Sequence, residues 1–216
     1  MARNFNDAPR RDTFDGRFAL NFPQISFEVN EQEFIFNGCN TYRVPFLLEA
    51  AEFRFGRIGS TRNDCAFDPA ELYVKQLLRL RRLGRRDNDI FFFDSLSDEP
   101  LFGARLRNRG LRRQFAFSDV EQGIYDAQFP SFNVEFRNNN FFLQGCENDP
   151  VQFLTTSQGT VSFRRSFSDR DCFVDRRDIF NDFFRNSERI KFRGDSYDFI
   201  DDHGLSIVSC SPFAWK

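Results

Sequence analysis

Five cysteines offer the widest choice of chemistry in this chain of 216 residues. Cys39 and Cys65 stand 26 positions apart, and Cys146 and Cys172 have the same spacing. Each pair could close a disulfide loop of about 27 residues, contributing about 3 kcal/mol. Alternatively, all four could be reduced thiols that pack as small hydrophobic side chains, as a reducing compartment would require. Both alternatives stay open, whereas Cys210, which has no counterpart, is expected to be a free thiol.

Metal and nucleophilic chemistry would need partners that the sequence hardly supplies. The cysteines lack the Cys-x-x-Cys spacing of zinc sites, and His203 is the only histidine. The run Asp201-Asp202-His203 is interpreted as a turn before the last strand, because Asp and His tolerate turns and Gly204 follows. A hydrolase using Cys65 or Cys172 is disfavoured, since His203 is the one possible imidazole base and the first copy has no equivalent of it. No Gly-rich phosphate loop is present, and we predict no catalytic, metal-binding or cofactor-binding residue.

Charge and composition favour protein partners over nucleic acid. The chain has 30 basic and 32 acidic residues, a net charge of -2, and 27 of its basic residues are Arg. Arg binds carboxylates in bidentate geometry and stacks on aromatic rings, which suits ion-pair networks and interfaces. The 32 Phe residues indicate a strand-rich aromatic core, with burial of Phe in a partner as the alternative. We therefore expect protein partners, no nucleic acid, and membership of a multi-subunit complex.

One basic run could still be weighed as a nucleic-acid patch. It comprises Arg79, Arg81, Arg82, Arg85 and Arg86. We interpret it instead as a helix end whose cations complement the carbonyl dipole. Acidic residues follow it, and the corresponding stretch at 186–188 is not basic.

The elements that must position these residues occur twice. Three dipeptides recur 107 residues later: Phe22-Pro23, Gly38-Cys39 and Asp64-Cys65 become Phe129-Pro130, Gly145-Cys146 and Asp171-Cys172. A constant offset across separated landmarks indicates the duplication of a whole domain. Apolar positions between the landmarks are kept while polar positions diverge. The two copies therefore share a shape and not an active site.

The repeat predicts four segments along the chain. They are a flexible arm at 1–13, a first domain at 14–107, a linker at 108–120 and a second domain at 121–216. No stretch is long enough to span a membrane, and the first residues lack the apolar segment of a signal peptide. The expected location is intracellular, in the cytoplasm. Disulfides would instead favour a secreted or envelope protein.

Each copy is predicted to run from strands to a helix and back to strands. Period-two alternation predicts the following strands: 16–29, 33–36, about 52–55, 90–94 and 102–106, then 123–136, 140–143, 160–163, 197–200 and 205–208. Polar residues predict hairpin turns at 30–32 and 137–140.

The helix of the first copy has a recognisable start. Asp68 is placed as N-cap, Pro69 as the first helical residue, and Glu71 to reach back to the cap. An apolar stripe runs from Leu72 to Leu83, and Gly84 is placed to end the helix. The matching helix of the second copy is predicted to start at Asp175.

Taken in order, these landmarks resemble the META domain, also called the HslJ-like domain. The matching segments are Gly16-Arg17-Phe18, Gly38-Cys39-Asn40 with Tyr42, Ser60-Thr61-Arg62-Asn63-Asp64-Cys65, and the helix from Asp68. The second copy departs from the pattern, because Glu147 follows Gly145-Cys146 and the Tyr is missing. The resemblance marks Gly38, Asn40 and Tyr42, with Gly145 and Glu147, as candidate motif turns.

The resemblance implies an α+β fold of two similar β-rich domains, each an antiparallel sheet or partly open barrel with one helix. The family includes heat-inducible bacterial envelope proteins and proteins of kinetoplastid parasites, and no enzymatic activity is established for it. We therefore expect a non-catalytic protein-interaction or structural protein, a subunit of a larger assembly. The alternative, by family analogy, is a stress-linked, secreted or envelope-associated, inhibitor-like binding module.

Overall fold

The computed structural model describes most of the chain. The described residues are 16–49, 52–65, 67–87, 89–94, 100–114, 121–143, 150–156, 158–164, 177–193 and 196–212. They divide into two compact units, which are Pro23–Pro130 (the first unit) and Met1–Phe22 with Ser131–Lys216 (the second unit). Within the described residues the chain has many antiparallel strands and two helices. This confirms the β-rich prediction.

The first unit is one antiparallel sheet with a helix. Its elements are β2 (Ile25–Val29), β3 (Glu33–Asn37), β4 (Thr41–Glu49), β5 (Glu52–Phe55), β6 (Gly59–Ser60), α1 (Pro69–Leu77), β7 (Arg82–Arg86), β8 (Asp89–Phe93), β9 (Phe102–Gln114) and β10 (Glu121–Gln128). The strand order is β5-β4-β3-β2-β10-β9-β8-β7, with β6 paired to β4.

The second unit repeats this plan. Its elements are β1 (Gly16–Asn21), β11 (Phe132–Arg137), β12 (Asn140–Leu143), β13 (Val151–Thr155), β14 (Val161–Phe163), α2 (Arg177–Asn186), β15 (Arg189–Arg193), β16 (Ser196–Ile200) and β17 (Ser206–Pro212). The strand order is β14-β13-β12-β11-β1-β17-β16-β15.

The first strand of each copy lies in the sheet of the other copy. β1 and β10 are equivalent at the 107-residue offset, yet β1 pairs with β11 and β17, while β10 pairs with β2 and β9. The continuous strand predicted at 16–29 is therefore split. A proline follows each exchanged strand, at Pro23 and Pro130. Proline has no N–H for a ladder, so the chain leaves one sheet there and enters the other.

The units are consequently bounded at the two Phe-Pro dipeptides, whereas the sequence boundaries followed the repeat. Residues 108–114 of the predicted linker belong to β9, which pairs with β10 in a hairpin. Residues 115–120 and the predicted arm at 1–13 lie outside the described residues. Alternation along a strand shows which side chains face a core, but it does not show which sheet receives the strand.

In both units, the phenylalanine that follows the exchanged strand packs against other aromatic rings. Phe22, the residue after β1, packs edge-on against Phe132 and Phe180, with ring centroids 5.7 and 6.1 Å apart. Phe129, at the equivalent position after β10, stacks on Tyr73 with centroids 4.1 Å apart. Tyr73 and Phe180 are themselves equivalent in the two helices. In both units, therefore, the phenylalanine that follows the exchanged strand packs against the ring at the equivalent position of the helix.

Phenylalanine builds both cores, as the aromatic-core interpretation expected. The fully buried rings include Phe27, Phe34, Phe36, Phe92 and Phe102 in the first unit and Phe136, Phe141, Phe180, Phe183 and Phe199 in the second. Their centroid distances, such as 4.9 Å between Phe27 and Phe36, are those of stacked and edge-on pairs.

The helix of the first unit begins as predicted and ends early. Asp68 is the N-cap, and its side chain accepts a hydrogen bond from the Ala70 N–H. Glu71 pairs with Lys75 at 3.2 Å along the helix surface. The predicted end at Gly84 is wrong, because α1 stops at Leu77 and Gly84 lies in β7.

Gly84 has a packing role that the helical interpretation missed. A Cβ at this position would lie 2.9 Å from the ring of Phe93 on the neighbouring strand. The apolar residues after the helix also fit strand packing, because Leu83 sits opposite the buried Phe92. Leu77, Leu80 and Leu83 keep the same three-residue spacing, although the helix ends at Leu77 and Leu83 lies in β7. This spacing therefore does not show where the helix ends.

The second helix and both hairpin turns agree with the sequence pattern. Ile179, Phe180, Phe183 and Phe184 are buried on α2, while the predicted start at Asp175 lies outside the described residues. Asn30 accepts hydrogen bonds from the N–H groups of Gln32 and Glu33, each at 2.9 Å. In the other hairpin, residues 138 and 139 have φ values of 51° and 59°. Among the described residues, five strands were not predicted: β4, β6, β7, β13 and β15.

Tyr73 fastens the two ends of the first unit together. Its hydroxyl lies 3.0 Å from the Pro23 carbonyl oxygen and 3.2 Å from the Ala127 carbonyl oxygen. The ring is fully buried, and this burial raises the pKa of the phenol above its usual value of about 10. The second unit has Phe180 at this place and lacks the hydroxyl.

We expect Tyr73→Phe to lower the free energy of unfolding by about 1 to 2 kcal/mol near neutral pH, since the Ala127 and Pro23 carbonyl oxygens lose the O–H donor that they share in a buried or part-buried place. Ionisation of an unfolded tyrosine begins near pH 10, while folded Tyr73 stays protonated, so wild-type stability should fall as the pH rises past about 10. The variant should fall less steeply. Urea titrations at about pH 8 and about pH 10.5 measure both slopes. Equal slopes would contradict the assignment.

Candidate functional site

A single carboxylate organises the Gly-Cys-Asn turn between β3 and β4. The Oδ2 atom of Asp68 accepts a hydrogen bond from the Asn40 N–H at 2.7 Å. Its Oδ1 atom accepts from the N–H groups of Cys39 at 3.3 Å and Ala70 at 3.1 Å. The buried N-cap of the helix therefore also holds the motif turn. The space beside it requires Gly38, because a Cβ there would lie 2.1 Å from Asp68 Oδ1.

Asn40 links the same turn to the Ser-Thr-x-x-x-Cys segment. Its Oδ1 atom accepts hydrogen bonds from the Asn63 N–H at 2.7 Å and from the Thr61 hydroxyl at 3.1 Å. Its Nδ2 atom donates to the Asn63 carbonyl oxygen and lies 3.3 Å from Cys65 Sγ. In return, Asn63 donates from its side chain to the Cys39 carbonyl oxygen at 2.8 Å. The short motifs that define the resemblance thus meet in space.

A disulfide joins Cys39 to Cys65 across this cluster, with Cα atoms 6.3 Å apart. The equivalent residues Cys146 and Cys172 lie outside the described residues, as do the motif positions Gly145 and Glu147. Cys210 is a buried free thiol on β17. Burial, and then the negative charge of Asp198, raise the pKa of Cys210 well above its usual range. This thiol is consequently held in its unreactive protonated form.

Tyr42 completes the cluster. Burial, followed by the negative charges of Asp68 and Glu71, raises the pKa of its phenol above the usual value. The phenol therefore stays neutral beside the carboxylate. Together, Gly38, Asn40, Tyr42 and Asp68 form what we call the motif latch, in which polar groups hold backbone segments in place. The sequence identified Asp68 as a helix cap, but its bonds to a turn 28 residues away arise only from folding.

The latch predicts a specific result for the cysteine pair. We expect Cys39→Ser with Cys65→Ser to lower the free energy of unfolding of the first unit by about 3 kcal/mol, because the 27-residue loop regains entropy in the unfolded chain. Cys210→Ser tests for a general effect of thiol removal and should alter the oxidised and reduced protein equally. Urea unfolding with and without reductant measures the difference, and a reductant-independent midpoint in the wild type would contradict it.

The turn predicted at Asp201-Asp202-His203 is confirmed. The Asp201 Oδ1 atom accepts a hydrogen bond from the Leu205 N–H at 2.7 Å, and Gly204 has a φ of 81°. His203 is exposed, and its Nε2 atom lies 3.7 Å from Asp202 Oδ1. Among the described residues, no group of three or more His, Cys, Asp or Glu side chains could hold a metal ion.

The basic run forms an exposed sheet edge, and its prediction as a helix end is wrong. β7 is the last strand of the first sheet and pairs with β8 in the register Arg82 to Phe93 through Arg86 to Asp89. The Arg82 guanidinium lies over the Phe93 ring at 4.4 Å. Arg79, before the strand, pairs with Asp94 at 2.9 Å. Strand β7 reads Arg-Leu-Gly-Arg-Arg and has no apolar alternation, so a search for apolar periodicity does not detect it.

The two units differ where their sheets end. In the second unit, Thr160, just before β14, bridges to Arg189 at the start of β15. The Val161 N–H donates to the Glu188 carbonyl oxygen at 2.7 Å, and the Ile190 N–H donates to the Gly159 carbonyl oxygen at 2.8 Å. The equivalent positions in the first unit are Phe53 and Arg82. No backbone bridge joins them within the part of the chain that the structure describes.

Comparison with protein families, curated proteins and solved structures finds no match to this chain. No helix among the described residues is long and apolar enough to cross a membrane.

Proposed function

We propose that this protein is a non-catalytic interaction or structural protein, built from two META-like β-rich units and acting as a subunit of a larger assembly. The carrying observation is the use of the motif's polar groups. The Asp68 carboxylate and the Asn40 amide are bonded to backbone and neighbouring side chains, so they serve the shape of the unit. A shared scaffold with differing surfaces is the arrangement expected of a protein whose partners are other proteins.

The difference between the units supports the same proposal. Both units have an aromatic core and an exchanged strand. Their sheet ends differ, because the second unit has a bridge between Thr160 and Arg189 and the first has the Arg-rich strand β7. Exposed Arg beside aromatic rings is typical of protein interfaces. The Arg-rich edge of the first unit therefore has the residue types with which proteins commonly bind one another.

The Cys39–Cys65 disulfide supports a second proposal for location and role. A stable disulfide favours a secreted or envelope-associated, inhibitor-like binding module over a cytoplasmic subunit. Mass spectrometry of the protein isolated from its native source, alkylated before and after reduction, decides between them. An oxidised pair supports the secreted or envelope setting, and free thiols at both positions support the cytoplasm.

The interaction function is tested by the native size of the protein. In a gently prepared native extract, we expect the chain to migrate in a complex well above its own 25.5 kDa. The purified chain on the same column provides the monomer reference, and cross-linking followed by mass spectrometry identifies what co-migrates. Migration wholly at the monomer position would count against the proposal.

A further inference from the structure

The segment that follows β6 is an exposed loop with an arginine at its centre. We propose that this loop inhibits serine proteases that cleave after arginine, with Arg62 in the specificity pocket of the enzyme and the Arg62–Asn63 peptide bond at its catalytic serine. The inference rests on the proposed secreted or envelope-associated, inhibitor-like module and specifies the target of that module. We call residues 60–65 the arginine loop.

The first support is the shape of the arginine loop. Residues 60–64 are exposed, and the stretch 61–65 contains no turn, bend or helix. No residue of the loop has a positive φ, so its backbone is extended. An exposed and extended segment is the form in which a peptide pairs with a strand of another protein. The loop therefore presents the shape that a protease cleft accepts.

The second support is the direction of the backbone groups. The Thr61 N–H donates to the Thr41 carbonyl oxygen at 3.2 Å, so these two residues form a hydrogen-bonded pair between β6 and β4. The preceding pair, Ser60 with Tyr42, is then of the other kind, in which N–H and C=O point away from the partner strand. By the same alternation, the Arg62 carbonyl oxygen also points outward. Ser60 can thus pair with a strand of the enzyme, and Arg62 can place its carbonyl oxygen in the oxyanion hole.

The third support is a buried side chain that holds both neighbours of Arg62. The Asn40 amide oxygen accepts hydrogen bonds from the Thr61 hydroxyl at 3.1 Å and from the Asn63 N–H at 2.7 Å. Both neighbours are therefore fixed before a partner arrives, while Arg62 itself is exposed. A loop that is already held in its bound shape gains affinity, because little conformational entropy is lost on binding.

The contacts of Asn63 also explain inhibition in place of hydrolysis. When the protease serine attacks the Arg62 carbonyl carbon, an ester forms, the bond to the Asn63 nitrogen breaks, and the serine proton passes through the enzyme's histidine to that nitrogen. The new amine stays in place, because the Asn63 side chain donates to the Cys39 carbonyl oxygen at 2.8 Å and the disulfide ties Cys39 to Cys65. It attacks the ester, returns the proton to the serine and restores the peptide bond faster than water can hydrolyse the ester.

The sequence of the second copy lacks the same residues. At the 107-residue offset, Asp169 stands in place of Arg62 and Glu147 in place of Asn40. Both lie outside the described residues. A pocket that selects arginine has an acidic residue at its base, which repels an aspartate. We therefore expect one protease molecule to bind to each chain.

The test measures inhibition of trypsin by the full, oxidised chain, with a small arginine p-nitroanilide as substrate. We expect competitive inhibition with a dissociation constant below about 1 μM. Arg62→Ala should weaken it by at least about a hundredfold, because the pocket loses its charged anchor. Arg57→Ala, at an exposed arginine earlier in the same segment, should leave it unchanged. Calorimetry with trypsin whose catalytic serine is replaced by alanine gives the stoichiometry without cleavage.

A change of specificity locates the site without relying on a loss. Arg62→Phe should transfer the inhibition from trypsin to chymotrypsin, whose pocket is a hydrophobic slot. A variant that failed to fold could not gain this activity. No inhibition by the wild type, equal inhibition by Arg62→Ala, or no gain against chymotrypsin would overturn the proposal.

A second variant tests the hold on the loop. Thr61→Val removes the hydroxyl that is bonded to Asn40 and should speed cleavage of the Arg62–Asn63 bond by about tenfold. Mass spectrometry detects this cleavage as two fragments, 1–62 and 63–216, that separate only after reduction of the disulfide. Cleavage of the oxidised wild type as fast as the reduced chain would make the loop a plain substrate and would overturn inhibition.

The state of the cysteines separates this inference from the proposed setting. If Cys39 and Cys65 are bonded in the native protein and trypsin is not inhibited, the arginine loop is overturned while the secreted or envelope setting stands. If both are free thiols in the native protein, that setting fails, and the inference fails with it because the loop loses the tie that retains the amine.

Discussion

A chain that begins at Pro23 is expected to lose the fold of its second half while its first half stays intact. Residues 16–22 lie at the start of the sequence, but β1 is a central strand of the second unit. It makes five residue pairs with β11 and four with β17. Phe22 also packs against Phe132 and Phe180. Without this strand, β11 and β17 face each other across a gap.

Hydrogen exchange read by mass spectrometry measures this result. Protection should fall to that of an unfolded chain across 132–143 and 196–212, and it should stay near the wild-type level across 25–49 and 89–106. Adding a synthetic peptide with the sequence of residues 16–22 should restore part of the lost protection, whereas a scrambled peptide should not. Loss of protection in the first unit, with the second unit intact, would show that the strands are not exchanged.

The same exchange determines which fragments fold alone. Residues 23–130 contain a complete sheet, because β10 stands in the place that β1 would fill in an unexchanged copy. This fragment should fold cooperatively. A fragment cut at the repeat boundary, 121–216, contains β10 but lacks β1, so it should fold only by pairing with a second molecule. Circular dichroism and sedimentation on the two fragments distinguish these outcomes.

Replacing Gly38 with Ala should be among the most damaging single changes in the first unit. The added Cβ would lie 2.1 Å from Asp68 Oδ1 and 2.8 Å from the Ala70 Cβ. Relief requires the carboxylate to move away from the N–H groups of Cys39 and Asn40, which it now holds at 3.3 and 2.7 Å. We expect a loss of about 3 to 4 kcal/mol in the free energy of unfolding.

Two comparisons isolate the cause. Gly59→Ala should change the stability by less than about 0.5 kcal/mol, since a Cβ there meets nothing within 4 Å. In an Asp68→Ala background, Gly38→Ala should cost at least about 1 kcal/mol less than in the wild type, because the clash with the carboxylate is gone. Additive losses in this double-mutant cycle would mean that the latch does not depend on the Gly38 to Asp68 contact.

Several local features could be predicted because their causes are local. Asp68 caps a helix through an N–H two residues away, and Asn30 forms its turn with the next three residues. The buried face of α2 follows from the spacing of its four apolar residues, which places them on one side of the helix. Such interactions depend on neighbours in the chain, so the residue types and their spacing contain the necessary information.

The sequence indicated only some of the residues of the candidate site. Gly38, Asn40 and Tyr42 were marked by resemblance, but their shared partner Asp68 was known only as a cap. The sequence also predicts a helix end where strand β7 lies, because leucines continue at helical spacing past Leu77. Pairing of Leu83 with Phe92 decided in favour of a strand. That pairing depends on a neighbouring strand, and apolar spacing within the segment itself does not report it.

By itself, the sequence determined that two copies of one β-rich plan exist, each with an aromatic core and one helix. These properties follow from the period of apolar residues and from the constant offset between landmarks. Only the tertiary structure decided that β1 and β10 change places, that the motif residues converge on one carboxylate, and that the cations after α1 line a sheet edge. Strand partners are chosen by hydrogen bonds and packing between distant segments, and the alternation of side chains along β1 or β10 does not show which of the two sheets receives the strand.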